Sequence, residues 1–267
     1  MVKFEENYCP VPNGKIFFIK KGSGTPIVFM HGFCLDRRMW ESQMDYFSAD
    51  YSCIAFDLRG FGKSSVPTDQ SYAHHEDLNT LLEFLGIDQP VILIGLSMGA
   101  RVVANFSLTH PQKIRAVIFV DGAIDGYPFK DFDLSYIYKT GKEFGTRPAN
   151  GLWLEHSIFE PARNNVLVFK KLAEQVLSYS GWHWVNKNPI RTLVPPAIEQ
   201  LQNVDKPALI LIGQLDIPDF KELAHSMHQQ IKDSRLIEIS GAGHMSNMEK
   251  PDLVNDVIHQ FLIQLPN

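Results

Sequence analysis

Apolar residues in this chain fall into short runs that alternate with helical stripes. Ile27–Met30, Ser52–Phe56, Val91–Leu96, Ile114–Val120, Pro207–Ile212 and Arg235–Ile239 are the runs. The wholly apolar Ile27-Val28-Phe29-Met30 has the pattern of a strand buried on both faces. Between the runs, apolar positions recur at helical spacing. Met39, Trp40, Met44 and Phe47 mark a helix over 37–48, and Leu78, Leu81, Leu82 and Leu85 mark another over 72–85, closed by Gly86. Further helices are predicted over 100–109, 220–231 and 253–265. At the start, Phe4–Tyr8 and Lys15–Lys20 flank Pro10-Val11-Pro12-Asn13-Gly14, which predicts an antiparallel hairpin around a turn-rich segment. Strands alternating with helices imply an α/β protein, a mostly parallel, doubly wound sheet covered on both faces.

One stretch interrupts the alternation. From Tyr127 to about Pro196 the strand pattern stops and aromatics become dense, among them Phe132, Tyr138, Trp153, Tyr179, Trp182 and Trp184. Helices are expected near 131–145, 150–160 and 163–179, with breaks at Pro148, Pro161 and Gly181. This reads as a helical cap inserted after the sixth strand. The chain then divides into a first part of the core (1–126), the cap (127–196) and a second part of the core (197–267).

Composition narrows the partners. With 45% hydrophobic and 21% charged residues the chain is that of a globular protein, and a net charge of −5 without any basic stripe argues against nucleic acid. Met1–Asn7 lacks the apolar core of a signal peptide, and no apolar run approaches membrane-spanning length. Three widely spaced cysteines, Cys9, Cys34 and Cys53, suit a reducing compartment and form no metal-ligand spacing. The expectation is a cytoplasmic monomer or homodimer without membrane span, metal or organic cofactor. His74-His75-Glu76-Asp77 looks metal-like, but adjacent helical positions diverge by about 100°, so these four are expected to form a solvated first turn instead. Asp57 and Arg59, in a glycine-punctuated turn, are expected to form a structural ion pair or to brace that turn.

The candidate chemistry centres on Gly95-Leu96-Ser97-Met98-Gly99, where a buried run meets a helical pattern. In that strand–turn–helix context G-x-S-x-G is a nucleophile elbow. The serine projects from the sheet edge, and the helix aims its first N–H groups at the place where negative charge develops. By chance alone the bare motif would arise in roughly one chain in ten of this length, so corroboration is needed. A serine hydroxyl needs an imidazole base, and the imidazole needs a carboxylate to fix its tautomer. Asp216 follows the 207–212 strand and His244 follows the 235–239 strand, on the same sheet edge as Ser97. The order Ser…Asp…His is one of three triad lineages. Asp121, past the strand after the elbow, and Asp219 are the other acids within reach. His31-Gly32-Phe33 follows the third strand, which assigns a second oxyanion donor to Phe33 N–H beside that of Met98. His31 is expected to brace that loop, and Cys34 to be a packed thiol.

These pieces, with Asp57-Leu58-Arg59-Gly60-Phe61-Gly62-Lys63-Ser64 and Gly243-His244-Met245-Ser246-Asn247-Met248-Glu249-Lys250-Pro251, resemble the α/β-hydrolase fold family, specifically its small capped esterase and enol-lactonase-like members, over essentially the whole chain. The resemblance implies a serine hydrolase of carboxylic esters or lactones, with Ser97, Asp216 and His244 as its triad; the aromatic cap, without a cationic cluster, predicts small to medium, uncharged acyl groups. Ser97 stands where dehalogenases and epoxide hydrolases of this fold carry aspartate. Met245 and Met248 stand where carbon–carbon bond hydrolases carry aromatics. Alternatives within the resemblance are a slow-turnover small-molecule receptor, a carbon–carbon bond hydrolase and a cofactor-free perhydrolase. Trp182 and Trp184 are the cap residues expected to face the pocket.

Overall fold

A computed structural model describes residues 5–266. Phe4, the first residue of the expected hairpin, lies outside them. Eight strands form one sheet: β1 (Glu5–Val11), β2 (Gly14–Lys21), β3 (Pro26–Met30), β4 (Ser52–Phe56), β5 (Val91–Leu96), β6 (Ile114–Val120), β7 (Ala208–Gly213) and β8 (Ser234–Ile239). Their order is β1-β2-β4-β3-β5-β6-β7-β8. The β1–β2 and β2–β4 pairs are antiparallel and all others parallel. Every residue of β3, β4, β5 and β7 is buried, as expected for strands covered on both faces. The helices of the core are α1 (Glu41–Phe47), α2 (His74–Phe84), α3 (Met98–Thr109), α9 (Pro218–Gln230), α10 (Ser246–Glu249) and α11 (Pro251–Leu262). Between β6 and β7 lie α4 (Ser135–Phe144), α5 (Thr146–Glu155), α6 (Glu160–Arg163), α7 (Val166–Ser178) and α8 (Trp182–Val185). No helix among the described residues is long and apolar enough to cross a membrane.

Several local expectations shift. The hairpin turn is only Pro12-Asn13, with Asn13 at φ 59°, and Pro10 and Val11 belong to β1. Proline is tolerated there because β1 is the sheet's edge strand and needs no outward donor. Pro148 and Pro161 lie inside the first turns of α5 and α6 rather than between helices, where a missing N–H breaks no intrahelical bond. The short α8 and α10 have too few turns to leave a periodic signal. The first turn of α2 is not solvated: His74, His75 and Asp77 are buried. The segment returning from the inserted helices covers them, through Tyr72 N–H to Pro189 O (3.4 Å) and Arg191 N–H to Tyr72 O (2.7 Å). Asp77 takes a two-pronged ion pair from Arg59 at 2.6 and 3.0 Å.

Candidate active site

Ser97, Asp216, His244, Phe33 and Met98 all follow the carboxyl ends of parallel strands, where ligands of open α/β sheets bind, whereas Trp182 and Trp184 lie in α8 of the inserted segment. Ser97 is the junction between β5 and α3. Its φ of 51° and ψ of −113° form the strained turn that an elbow requires. The flanking glycines are sterically necessary. A Cβ on Gly95 would lie 2.4 Å from Gly99 C and O, and one on Gly99 would lie 2.1 Å from Met30 O. Met98, as the first residue of α3, has an N–H with no carbonyl one turn earlier to accept it.

Asp216 and His244 come together from the loops after β7 and β8. His244 Nδ1 lies 2.8 Å from Asp216 Oδ2, and both side chains are buried. Asp216 Oδ1 accepts from Ile217 N–H at 2.8 Å, so its carboxylate is held at both oxygens. Burial alone would pull the His244 pKa down, but the facing Asp216 carboxylate overrides it and raises the ring above its ordinary 6.5. Glu249 clamps the loop on either side of His244, accepting Gly243 N–H at 2.9 Å and Met245 N–H at 3.1 Å. The Phe220 ring packs on the imidazole with centroids 4.3 Å apart.

The competing acids have other partners. Asp121 Oδ1 accepts Gly213 N–H at 2.8 Å, and Oδ2 accepts Ser246 N–H at 3.0 Å and Ser246 Oγ–H at 2.6 Å. It thereby ties together the two loops that carry Asp216 and His244. Burial, reinforced by the Asp216 charge, pushes its pKa up to about 8. Asp219 accepts the backbone N–H groups of Lys130, Asp131 and Phe132 and so anchors the chain where it leaves the core. Neither contacts His244 by a hydrogen bond.

The supporting loops are braced. His31 Nε2 accepts Leu58 N–H at 2.9 Å while Nδ1–H faces Gly32 O at 2.8 Å. Both ring nitrogens are occupied, and burial keeps the ring neutral by lowering its pKa. Asp57 pairs with Arg37 at 2.9 Å, not with Arg59. Cys34 is a buried thiol raised well above its usual range by burial, which makes it a poor nucleophile.

A cavity of about 360 Å³ opens over Ser97. Phe33, Met98, Phe132, Trp153, His183 and Phe220 are among its lining residues. Phe220 thus touches both the cavity and the His244 ring. Trp182 and Trp184 are not among the lining residues. Trp184 is fully buried behind the wall, donating Nε1–H to Asn150 Oδ1 at 2.8 Å and meeting the Phe33 ring edge-on at 5.0 Å. The residue between them, His183, reaches the cavity instead. It stacks on Phe61 at 4.5 Å, its Nδ1 lies 2.6 Å from Tyr179 Oη, and burial lowers its pKa to about 4. His74, expected in a solvated first turn, also lines the cavity. It sits four positions before Leu78, in register with the buried stripe of α2. Among the described residues no cluster of His, Cys, Asp and Glu could hold a metal ion.

A strained serine at a strand–helix elbow, with a buried histidine–aspartate pair on the same sheet edge, is a hydrolase arrangement. The chain belongs to the alpha/beta hydrolase fold family, whose model matches residues 25–251. Its relatives include an uncharacterized carboxylesterase of Bacillus subtilis (strain 168), 26% identical over 276 residues, with 97% of this chain and 87% of that one covered. They also include the (E)-2-((N-methylformamido)methylene)succinate hydrolase of Acinetobacter baylyi, 24% identical over 280 residues, with 95% of this chain and 96% of that one covered. Among solved structures, a thermophilic esterase from Thermogutta terrifontis superposes with a TM-score of 0.80 at 25% identity, covering 99% of this chain and 100% of that one. The enol-lactonase of Burkholderia xenovorans LB400 shares the fold, with a TM-score of 0.82 at 18% identity over 97% and 100% of the two chains.

Proposed function

We propose that the protein hydrolyses small to medium carboxylic esters or lactones through an acyl-enzyme on Ser97. The observation that carries this reading is the buried His244–Asp216 contact of 2.8 Å on the sheet edge that also presents Ser97 to the cavity. In the proposed reaction Ser97 Oγ attacks the carbonyl while His244 Nε2 takes its proton. Asp216 holds the tautomer that leaves Nε2 free and stabilises the imidazolium. Phe33 N–H and Met98 N–H receive the developing oxyanion. His244 then protonates the leaving alkoxide, and water resolves the acyl-enzyme by the same steps. The carboxylesterase and esterase relatives support this chemistry, and the aromatic part of the cavity lining supports a substrate with an apolar portion.

The test is hydrolysis of p-nitrophenyl butyrate, with peptide mass spectrometry after a fluorophosphonate probe. Ser97→Ala should lower kcat by about four to six decades with the fold kept, and the adduct should map to Ser97. Near-native turnover by Ser97→Ala, or an adduct elsewhere, overturns the proposal.

A further inference from the structure

His244 sits in a loop that is held by more than its aspartate. The chain runs from His244 into the one-turn α10, where the N–H groups of Met248 and Glu249 both donate to Met245 O, at 2.9 and 2.8 Å. That turn carries the Glu249 side chain back over the loop. Its Oε1 accepts Met245 N–H at 3.1 Å and its Oε2 accepts Gly243 N–H at 2.9 Å. A capping box needs only the first of these bonds, a glutamate reaching back to the amide that opens its own helix. The second bond crosses His244 to the amide on its other side, outside the helix. Gly243 is fixed from other directions as well. A Cβ on it would lie 2.5 Å from Pro161 Cγ, and a Cβ on Gly213 would lie 2.1 Å from Gly243 O.

Asp216 grips the imidazole at Nδ1 alone, so where Nε2 points depends on the backbone that carries the ring. Glu249 holds the amides on both sides of that backbone with one carboxylate. Its charge reaches the ring too. The titratable groups around His244 are Asp216 after β7, Asp121 after β6, Glu249 at the end of α10 and His156 after α5. Burial keeps His156 neutral by lowering its pKa, and Asp121 holds its proton up to about pH 8. The negative charge beside the ring therefore comes from Asp216 and Glu249. Burial lifts the Glu249 pKa above 4.5, against the pull of its two N–H bonds. Glu249 does not line the cavity, so it can act on the reaction only through His244. We propose that Glu249 is a positioning residue: through the Gly243 and Met245 amides it directs His244 Nε2 towards Ser97, and its charge favours the imidazolium that forms there. The inference rests on the esterase reading above and deepens it.

The experiment measures kcat, KM and the pH profile of p-nitrophenyl butyrate hydrolysis in Glu249→Gln and Glu249→Asp, with near-UV circular dichroism to show retained packing. Glu249→Gln keeps the length, removes the charge and sets an NH2 against one of the two amides. Glu249→Asp keeps the charge but is too short to span both amides. In both variants kcat should fall by about ten- to a hundredfold, the cost of a slightly misdirected base, with KM nearly unchanged. The acid limb should move to lower pH in Glu249→Gln and stay in place in Glu249→Asp, a split that a purely structural role would not produce. A kcat within about threefold of native in either variant, a Glu249→Gln limb that stays, or a Glu249→Asp limb that moves overturns the role. Where only one variant folds, its own kcat and limb decide. Loss of fold in both makes Glu249 a folding residue and overturns the role as well. Hydrolysis that Ser97→Ala abolishes and the Glu249 variants keep removes the positioning role and leaves the esterase reading standing. Near-native hydrolysis by Ser97→Ala removes both.

Discussion

Replacing Asp216 by asparagine tests the proposed division of labour most sharply, because the structure dictates how the amide will sit. Asp216 Oδ1 accepts Ile217 N–H at 2.8 Å while Oδ2 faces His244 Nδ1 at 2.8 Å. The asparagine oxygen is retained by Ile217 N–H, so its NH2 turns to His244. Facing a donor, Nδ1 must become the acceptor, and the proton moves to Nε2. The imidazole can then no longer take the serine proton. The loss expected is on the order of 10⁴ in kcat, or about 5.5 kcal/mol of barrier. KM should change little, because Asp216 does not line the cavity. The assay is p-nitrophenyl butyrate hydrolysis from acid to alkaline pH, with near-UV circular dichroism to show retained packing. A second readout separates this from general damage. Without the carboxylate, burial is left to dominate the ring, so the acid limb of the residual activity should move to lower pH. A kcat loss under tenfold, or a limb moved upward, would refute the reasoning.

In the native protein the raised His244 pKa means that the inactive, protonated ring persists above pH 6.5, so the acid limb of kcat/KM should lie above that value; a profile flat from about pH 5 to 8 would exclude the histidine as base. Trp184→Ala empties a fully buried site and should lower stability by about 3–5 kcal/mol in urea denaturation, more than it changes acyl-length preference; unchanged stability would mean the wall behind Phe33 is not packed as described. Asp121→Asn keeps an acceptor for Gly213 N–H but sets an NH2 against Ser246 N–H, which should cost about 1–3 kcal/mol of stability and far less kcat than Asp216→Asn. Because the Asp121 pKa is raised to about 8, the folded state holds a proton that the unfolded chain releases near its ordinary value. Native stability should therefore decline relative to Asp121→Asn as pH rises from about 4 towards 8; parallel stability curves would show that Asp121 does not titrate in that range.

The strands were legible because each buried run ends in a glycine, proline or polar break, and the parallel order follows from their alternation with helices. The elbow was legible because its glycines are enforced by contacts of 2.4 and 2.1 Å, which leave no other residue type possible. His244 and Asp216 could be placed because both follow strands on one sheet edge. The cavity was less legible. Aromatic density marked the inserted helices as apolar but could not rank which rings face inward, since that depends on the rotation of short helices such as α8. There His183, not its tryptophan neighbours, reaches the cavity. The polar residues of α2 were hidden for a different reason. Read locally, His74 and His75 look like a solvated first turn, and only the returning segment around Pro189–Arg191, more than a hundred residues later, buries them. Long-range cover of that kind leaves no local pattern.

Strain at this sheet edge has a physical logic. Four non-glycine residues among those described have positive φ, and three of them, Cys34, Ser97 and Asp121, follow β3, β5 and β6 around the proposed reaction centre. Each such conformation costs about 1–3 kcal/mol, which glycine would largely remove. Glycine would also remove the hydroxyl of Ser97 and the carboxylate of Asp121, the one needed for attack and the other for tying the β7 and β8 loops together. The strain is held by backbone bonds on both sides. Ser97 N–H donates to Val120 O at 3.0 Å, and Ser97 O accepts from Ala100 and Ala123 N–H at 2.9 and 3.1 Å. Asp121 N–H donates to Leu211 O at 2.9 Å while its side chain takes three further donors. A residue pinned at its amide, its carbonyl or its side chain cannot relax without breaking bonds in two neighbouring strands. The sheet therefore transmits its rigidity to Ser97 and to Asp121, and through Asp121 to the β7 and β8 loops that carry Asp216 and His244.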